Sequence, residues 1–594
     1  MKSLYYLNKY LLKYKWYLIL GILFIIISNL FAVYMPEIID RAADKITMHF
    51  IEKKSGKTIF FDKEKIWNSA MYLCLIYLMF ALFKGIFLFC TRQTIIVMSR
   101  HIEYDLKNEI FDKYQSLSSS FYKRNNTGDL LNRISEDVNK VRMYLGPAIM
   151  YTINVVVLFI LVITFMIKKN PELTFYVLIP LPILSFIIYK ISFLINKKSE
   201  ATQKQQSALS TFVQEAFSGI RVLKSYNRES YFNNEFKTET ENYKKASLSL
   251  AYVNAFFMPA IVFLIGLSTI LTIYIGGIKT INNEIDYGDI VQFIFYINML
   301  TWPIASVGWV TSLIQRAAAS QKRINEFLDN ESKIINKKNA DEIDKINKLE
   351  FNDVSFAYSD TKTEALNKIS FTIKKGESLG IIGRTGSGKS TIANLICRLY
   401  DIDSGSILMN TKKIKDININ NLRSRIGYVP QDVFLFSDTI SNNISFGIES
   451  SSKNNNTINE AAISAFIHKE IINFPDSYQT RIGERGITLS GGQKQRISIA
   501  RALIKKPDIL IFDDCLSSVD TEAEESILNN LVPLMRTNIS IIIGHRVSSI
   551  MRSDHILVLD KGEVLEEGTH DQLVKKNGYY AEIHRKQLLE KTKD

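Results

Sequence analysis

The chain is 594 residues long, 47% hydrophobic, and carries a formal net charge of +13. That length exceeds what one hydrophobic core supports and predicts about two to four domains. The apolar residues crowd into long runs before residue 314, which excludes a wholly soluble enzyme, and the basic residues are scattered rather than striped, which argues against a nucleic-acid partner.

Lys2, Lys9, Lys13 and Lys15 precede an apolar run at 16–33. The run is too long for a signal-peptide core and is followed by Tyr34-Met35-Pro36 rather than a small-residue cleavage site, so it is predicted to stay as a membrane anchor. Further runs of about 20 apolar residues lie at 67–89, 146–167, 173–195, 252–276 and 290–314, giving six predicted membrane helices. An even number of spans puts both ends on one side of the membrane. Further along, Gly383-Arg384-Thr385-Gly386-Ser387-Gly388-Lys389-Ser390, between an apolar strand and a helix-like segment, reads as a nucleotide cradle, which requires that side to be the cytosol. The loop at 44–66, predicted outside, carries Lys45, Lys53, Lys54, Lys57, Lys63 and Lys65 and so runs against the usual charge bias; the nucleotide argument outweighs it.

The connections at 99–142 and 196–250 are long, charged and helix-forming, so membrane helices are predicted to continue into the cytosol. They turn at 121–138 and 218–229, a means of passing force to the following domain. Lys84 interrupts the second run, and two readings are open: it lines a polar cavity, or it snorkels to the inner headgroups. Trp302, Pro303 and Trp309 read either as an interfacial anchor with a helix kink or as a surface for an amphipathic substrate. Cys74, Cys90, Cys397 and Cys515 have neither metal-ligand nor framework spacing and read as free thiols in a reducing compartment.

A polar stretch at 329–348 predicts a linker between a membrane domain (1–328) and a second domain (349–594) whose alternating strands and helices imply an α/β core. In that core an apolar strand runs into Gly383-Arg384-Thr385-Gly386-Ser387-Gly388-Lys389-Ser390 and then a helix beginning near Thr391. Glycines let backbone N–H groups converge on phosphate oxygens, the helix N-terminus adds positive potential, Lys389 reaches the terminal phosphates, and Ser390 offers a hydroxyl to Mg²⁺. Downstream, the apolar strand 509–513 ends in Asp513, where a Mg²⁺ carboxylate belongs. Leu489-Ser490-Gly491-Gly492-Gln493 is a second glycine-rich helix start. One γ-phosphate does not need two cradles from one chain, so the second is expected to serve a nucleotide on another subunit. Residues 556–559 and 563–566 flank Lys561-Gly562 and predict a hairpin.

These motifs, with the aromatic Tyr358, Gln431 in Tyr428-Val429-Pro430-Gln431-Asp432, Glu484 within 480–486, the stretch 517–520, His545 and the tail 559–574, resemble the ATP-binding cassette transporters, specifically exporter-type half-transporters, over essentially the whole chain. The resemblance implies an α-helical transmembrane domain of six long helices followed by an α/β P-loop nucleotide-binding domain. It implies that Tyr358 stacks on adenine and that the loop from Gly383 to Thr391 holds the ATP phosphates. Ser390, Gln431 and Asp513 would hold Mg²⁺, with Gln431 also orienting the attacking water. His545 would bond the γ-phosphate, and Ser490, Gly491, Gly492 and Gln493 would close over ATP on a partner half-transporter. The implied activity is ATP-driven export of amphipathic drugs or lipids across the cytoplasmic membrane. Peptide export is less expected, since no peptidase-like stretch precedes the first run.

One position departs from the family pattern: Asp514 stands where a catalytic glutamate is expected. A carboxylate one methylene shorter predicts a slow site, because a misplacement of about 1 Å can cost on the order of 10²-fold in rate. With the Ser490 motif intact, this resembles one subunit of a heterodimeric exporter. A homodimer using aspartate as base, and a regulatory subunit that binds ATP without driving transport, are the alternatives.

Overall fold

A computed structural model describes residues 2–54, 63–358, 363–449, 454–483, 489–515 and 521–591. The chain forms two compact units, one of Met1–Gln115 and Gly128–Asn330, the other of Ser116–Thr127 and Glu331–Asp594.

The first unit is helical. Among the described residues five helical stretches are long and apolar enough to cross a membrane: Lys15–Asp44, Trp67–Ser116, Thr127–Lys169, Glu229–Ile281 and Tyr287–Leu328. The fourth predicted run, 173–195, is helical too, but it is divided into Pro171–Leu178 and Pro180–Ser218. Pro180 has no N–H to give the helical ladder, which accounts for the break. Leu75, Leu78, Leu82 and Phe89 point outward at 61–63% exposure, as suits a lipid-facing helix. The interior packs Val33, Val162, Leu173, Phe293, Tyr296 and Leu300 together.

Several polar side chains inside this unit pair with one another, as a medium without water favours. Asn29 donates to Asn154 at 2.9 Å, Gln292 donates to the Tyr296 hydroxyl at 2.9 Å, and that hydroxyl donates to the Val33 carbonyl at 3.2 Å. Lys169 joins Asp40, at 2.9 Å, and Asp289. Trp309 meets Tyr151 edge-on at 5.4 Å, while Trp302 is largely exposed.

The second unit holds two sheets. One is antiparallel, with β1 (Lys348–Tyr358) between β2 (Thr363–Lys374) and β4 (Ser404–Met409), and β5 (Lys412–Lys413) at the edge. The other has the order β10-β9-β3-β8-β7-β6, where β3 is Ser378–Gly383, β6 Ile426–Val429, β7 Ile509–Asp513, β8 Ile539–Ile543, β9 His555–Asp560 and β10 Glu563–Gly568. Its strands β6, β7, β8, β3 and β9 run parallel, and β3, β7 and β8 are buried along their whole length, which explains why each is mostly apolar. Alternate residues serve opposite faces: Ile509 and Ile511 pack in one core, Leu510 and Phe512 in the other. The predicted hairpin is present, turning on Lys561 (φ +46°) and Gly562 (φ +85°), the left-handed pair that a tight two-residue turn requires.

The stretch 329–348 is polar in composition but not detached. Ile343 and Ile346 are buried in the core that contains β1, and Asp341 bridges to Ile417. Its apolar residues are too few to show a period in the sequence.

Candidate functional site

The parallel sheet positions the site at the C-terminal ends of β3 and β7, where open α/β sheets bind ligands. From β3 the chain enters the glycine loop and then the helix Lys389–Ile396, two residues earlier than the sequence suggested. Gly388 has φ +97°, and a Cβ there would collide with the Ala365 carbonyl, so only glycine permits the loop to close onto its neighbour.

Tyr358, Thr385, Gly386, Ser387, Gly388, Lys389, Ser390, Thr391, Gln431, Asp513, Asp514 and His545 line one cavity of about 270 Å³. Gly383 and Arg384 begin the same loop. Lys389 is buried and donates to the carbonyls of Gly383 and Arg384, 2.9 Å each. Burial lowers its ammonium from the ordinary value, against the pull of Asp514 and Asp513. The Ser390 hydroxyl donates to Asp513 Oδ1 at 2.9 Å. Burial raises the Asp513 carboxyl, opposed by hydrogen bonds from Ser390 and Tyr428. Gln431 Nε2 donates to Asp514 Oδ2 at 3.4 Å, and the hydroxyls of Tyr358 and Thr391 meet at 3.1 Å.

The donor set fits Mg²⁺ and a polyphosphate. Ser387 Oγ is buried without a hydrogen-bond partner among the described residues, beside a buried ammonium and a helix N-terminus that both favour an anion. Ser390, Gln431 and Asp513 supply only oxygen ligands, the hard set that Mg²⁺ takes.

Ser490, Gly491, Gly492 and Gln493 do not line this cavity. They begin the helix Gly491–Leu503 in a reciprocal cap: Gln493 N–H donates to Ser490 Oγ at 3.3 Å, and Ser490 N–H donates to Gln493 Oε1 at 3.0 Å. Glu484 and the stretch 517–520 fall outside the described residues. Tyr428, which the sequence reading passed over as part of the Gln431 motif, donates to Asp513 Oδ2 at 3.3 Å. Its only signal was its place on a strand paired in parallel with the one that ends in Asp513. Lys123 also reaches the site, its Nζ 4.6 Å from the Tyr358 ring centroid and 5.4 Å from that of Tyr400.

Sheet, glycine loop and acidic strand end define a P-loop nucleotide-binding domain, carried on the same chain as a set of membrane-length helices. Residues 18–304 match the family described as ABC transporter transmembrane region, and residues 366–517 match the ABC transporter family. A probable multidrug resistance ABC transporter ATP-binding/permease protein, YheI, of Bacillus subtilis (strain 168) is 31% identical over 571 residues, 96% of this chain and 95% of that protein. An ATP-dependent lipid A-core flippase of Syntrophus aciditrophicus (strain SB) is 34% identical over 566 residues, 94% of this chain and 92% of that one. The solved structure of a bacterial Atm1-family ABC exporter with ATP bound superposes with a TM-score of 0.78 at 25% identity, covering 96% of this chain and 98% of that one. The chain therefore belongs to the ABC transporter family. It is an exporter-type half-transporter with a transmembrane domain and an ATPase domain coupled to transport.

Proposed function

We propose that the protein exports amphipathic small molecules, drugs or lipids, across the cytoplasmic membrane, as one half of a dimer with its termini and ATPase domain in the cytosol. The observation that carries this is the meeting of Lys389, Ser390, Asp513 and Gln431 at one cavity of a chain that also holds, among the described residues, five membrane-length helices.

In this reading Tyr358 stacks on adenine, and the loop from Gly383 to Thr391 binds the phosphates through its amides and Lys389. Ser390, Gln431 and Asp513 hold Mg²⁺, which when bound neutralises phosphate charge. Asp514 accepts a proton from the attacking water, and His545 bonds the γ-phosphate. Ser490 to Gln493 close over the partner's nucleotide. ATP clamps the two ATPase domains together and hydrolysis releases them, which switches the membrane helices between inward and outward states.

The shorter carboxylate at Asp514 favours a heterodimer in which this chain's own site is slow and its Ser490 motif completes a faster site on the partner. The same residue supports a second reading, an ATP-binding regulatory subunit. Inside-out vesicles separate the two. ATP-dependent uptake of an amphipathic dye that vanishes with Lys389→Ala supports the pump; nucleotide binding without uptake, alone and with a candidate partner half-transporter, supports the regulator. Full ATPase activity from the purified chain alone would overturn the heterodimer.

A further inference from the structure

The C-terminal helix Tyr579–Lys591 lies against the ATP site at a point that no motif marks. Its Gln587 makes a two-pronged contact with the backbone around His545. Gln587 Oε1 accepts from the Val547 N–H at 2.8 Å, and Gln587 Nε2 donates to the His545 carbonyl at 2.9 Å. One flat carboxamide thus grips the chain on both sides of Arg546, as a neighbouring strand would. His545 lies one residue beyond the end of β8, and the intervening Gly544 is fixed to the sheet, its N–H donating to the Ile381 carbonyl at 3.0 Å.

The helix that presents Gln587 is itself pinned. Tyr580 is fully buried and meets His570 Nδ1 at 2.8 Å, and the Glu566 carboxylate accepts from the Tyr579 N–H at 2.6 Å. A fixed helix, a fixed strand end and a bidentate contact between them leave the His545 backbone little freedom. His545 lines the cavity shared by Lys389, Ser390 and Asp514.

We propose that Gln587 is a positioning residue for ATP hydrolysis: its carboxamide clamps the His545 backbone and so holds the imidazole where it meets the γ-phosphate. The proposal rests on the role given to His545 above. Gln587 does not line the cavity, so it acts on turnover rather than on nucleotide binding. A displacement of about 1 Å at such a group costs on the order of 10²-fold in rate at most.

The test uses the full-length protein in lipid nanodiscs, with Gln587→Met, which keeps side-chain volume and helix propensity but removes both hydrogen bonds. Hydrogen exchange of the backbone amides at 545–550 is read by mass spectrometry. The Val547 amide is expected to exchange at least about tenfold faster in the variant, with β3 and β8 unchanged. ATP turnover is expected to fall about tenfold with KM for ATP within about twofold, and the loss is expected to disappear in a His545→Ala background. Gln587→Glu, which keeps the acceptor for Val547 and loses the donor to His545, is expected to fall between. Unchanged exchange at Val547, or a loss that adds in full to that of His545→Ala, overturns the clamp. If His545→Ala alone leaves turnover intact, the role of His545 is wrong and the catalytic part of the proposal falls with it, whatever the exchange result.

Discussion

Gln431 and Asp514 stand side by side in the phosphate cavity, amide nitrogen to carboxylate oxygen, 3.4 Å apart. Asp514 holds φ +46°, a left-handed backbone that aspartate adopts more readily than most residues, and its N–H is anchored to the Ile543 carbonyl at 2.8 Å. The backbone is therefore fixed, and the reach of the carboxylate is set by side-chain length alone. Asp514→Glu is expected to raise ATP turnover of the reconstituted protein by about tenfold or more, since one added methylene moves the base by about 1 Å. A slower Asp514→Glu enzyme would mean that aspartate is the working length at this site.

Ser390 and Asp513 are joined at 2.9 Å although they are 123 positions apart in sequence. Asp513→Asn keeps the shape of the side chain and removes the charge a divalent cation needs. Mn²⁺ binding in the presence of ATP, followed by electron paramagnetic resonance, is expected to weaken by about 10²-fold or more, and turnover to be lost with it. Binding of ATP in excess chelator is expected to stay within a few-fold of wild type.

Lys123 places a cation over the ring of Tyr358, which the proposed mechanism assigns to adenine. A cation–π contact at a partly exposed site is worth about 0.5–1 kcal/mol, and adenine must displace it to stack on that face. Lys123→Ala is therefore expected to tighten binding of a fluorescent ATP analogue by about two- to fivefold. Weaker binding instead would mean that the lysine contacts the nucleotide itself.

Lys169 is the shared cation of two carboxylates, Asp40 and Asp289, both nearly buried. Removing the lysine leaves two buried carboxylates uncompensated; because its side chain is 36% exposed, the cost is about 1–3 kcal/mol, below that of a fully buried pair. Lys169→Met is expected to lower the thermal midpoint of the detergent-solubilised protein clearly, and Asp40→Asn combined with Lys169→Met to recover part of the loss. An unchanged midpoint in the single variant would mean that water reaches this cluster.

Much of the site was legible along the chain because its signals are local. The loop Gly383 to Ser390 is contiguous, and β7 is apolar up to its terminal Asp513 because both faces of a parallel sheet are buried. The membrane helices were legible for a similar reason, since a bilayer demands apolar residues all round a helix about 20 residues long. The break at Pro180 and the burial of Ile343 and Ile346 escaped because each is one or two residues inside a stretch whose average says otherwise.

What the sequence determined by itself was the family, the order of membrane and ATPase parts, and the residue types able to hold a nucleotide, all carried by short contiguous patterns. Only the tertiary structure decided which distant side chains meet: Tyr428 on Asp513, Lys123 over Tyr358, Lys169 between Asp40 and Asp289, and Gln587 on the backbone of His545. Those pairings lie from 42 to 235 positions apart, and no local period or motif encodes them. They exist because sheet order and helix packing bring the chain back upon itself, and one hydrogen bond has no signature in sequence until both its ends are placed.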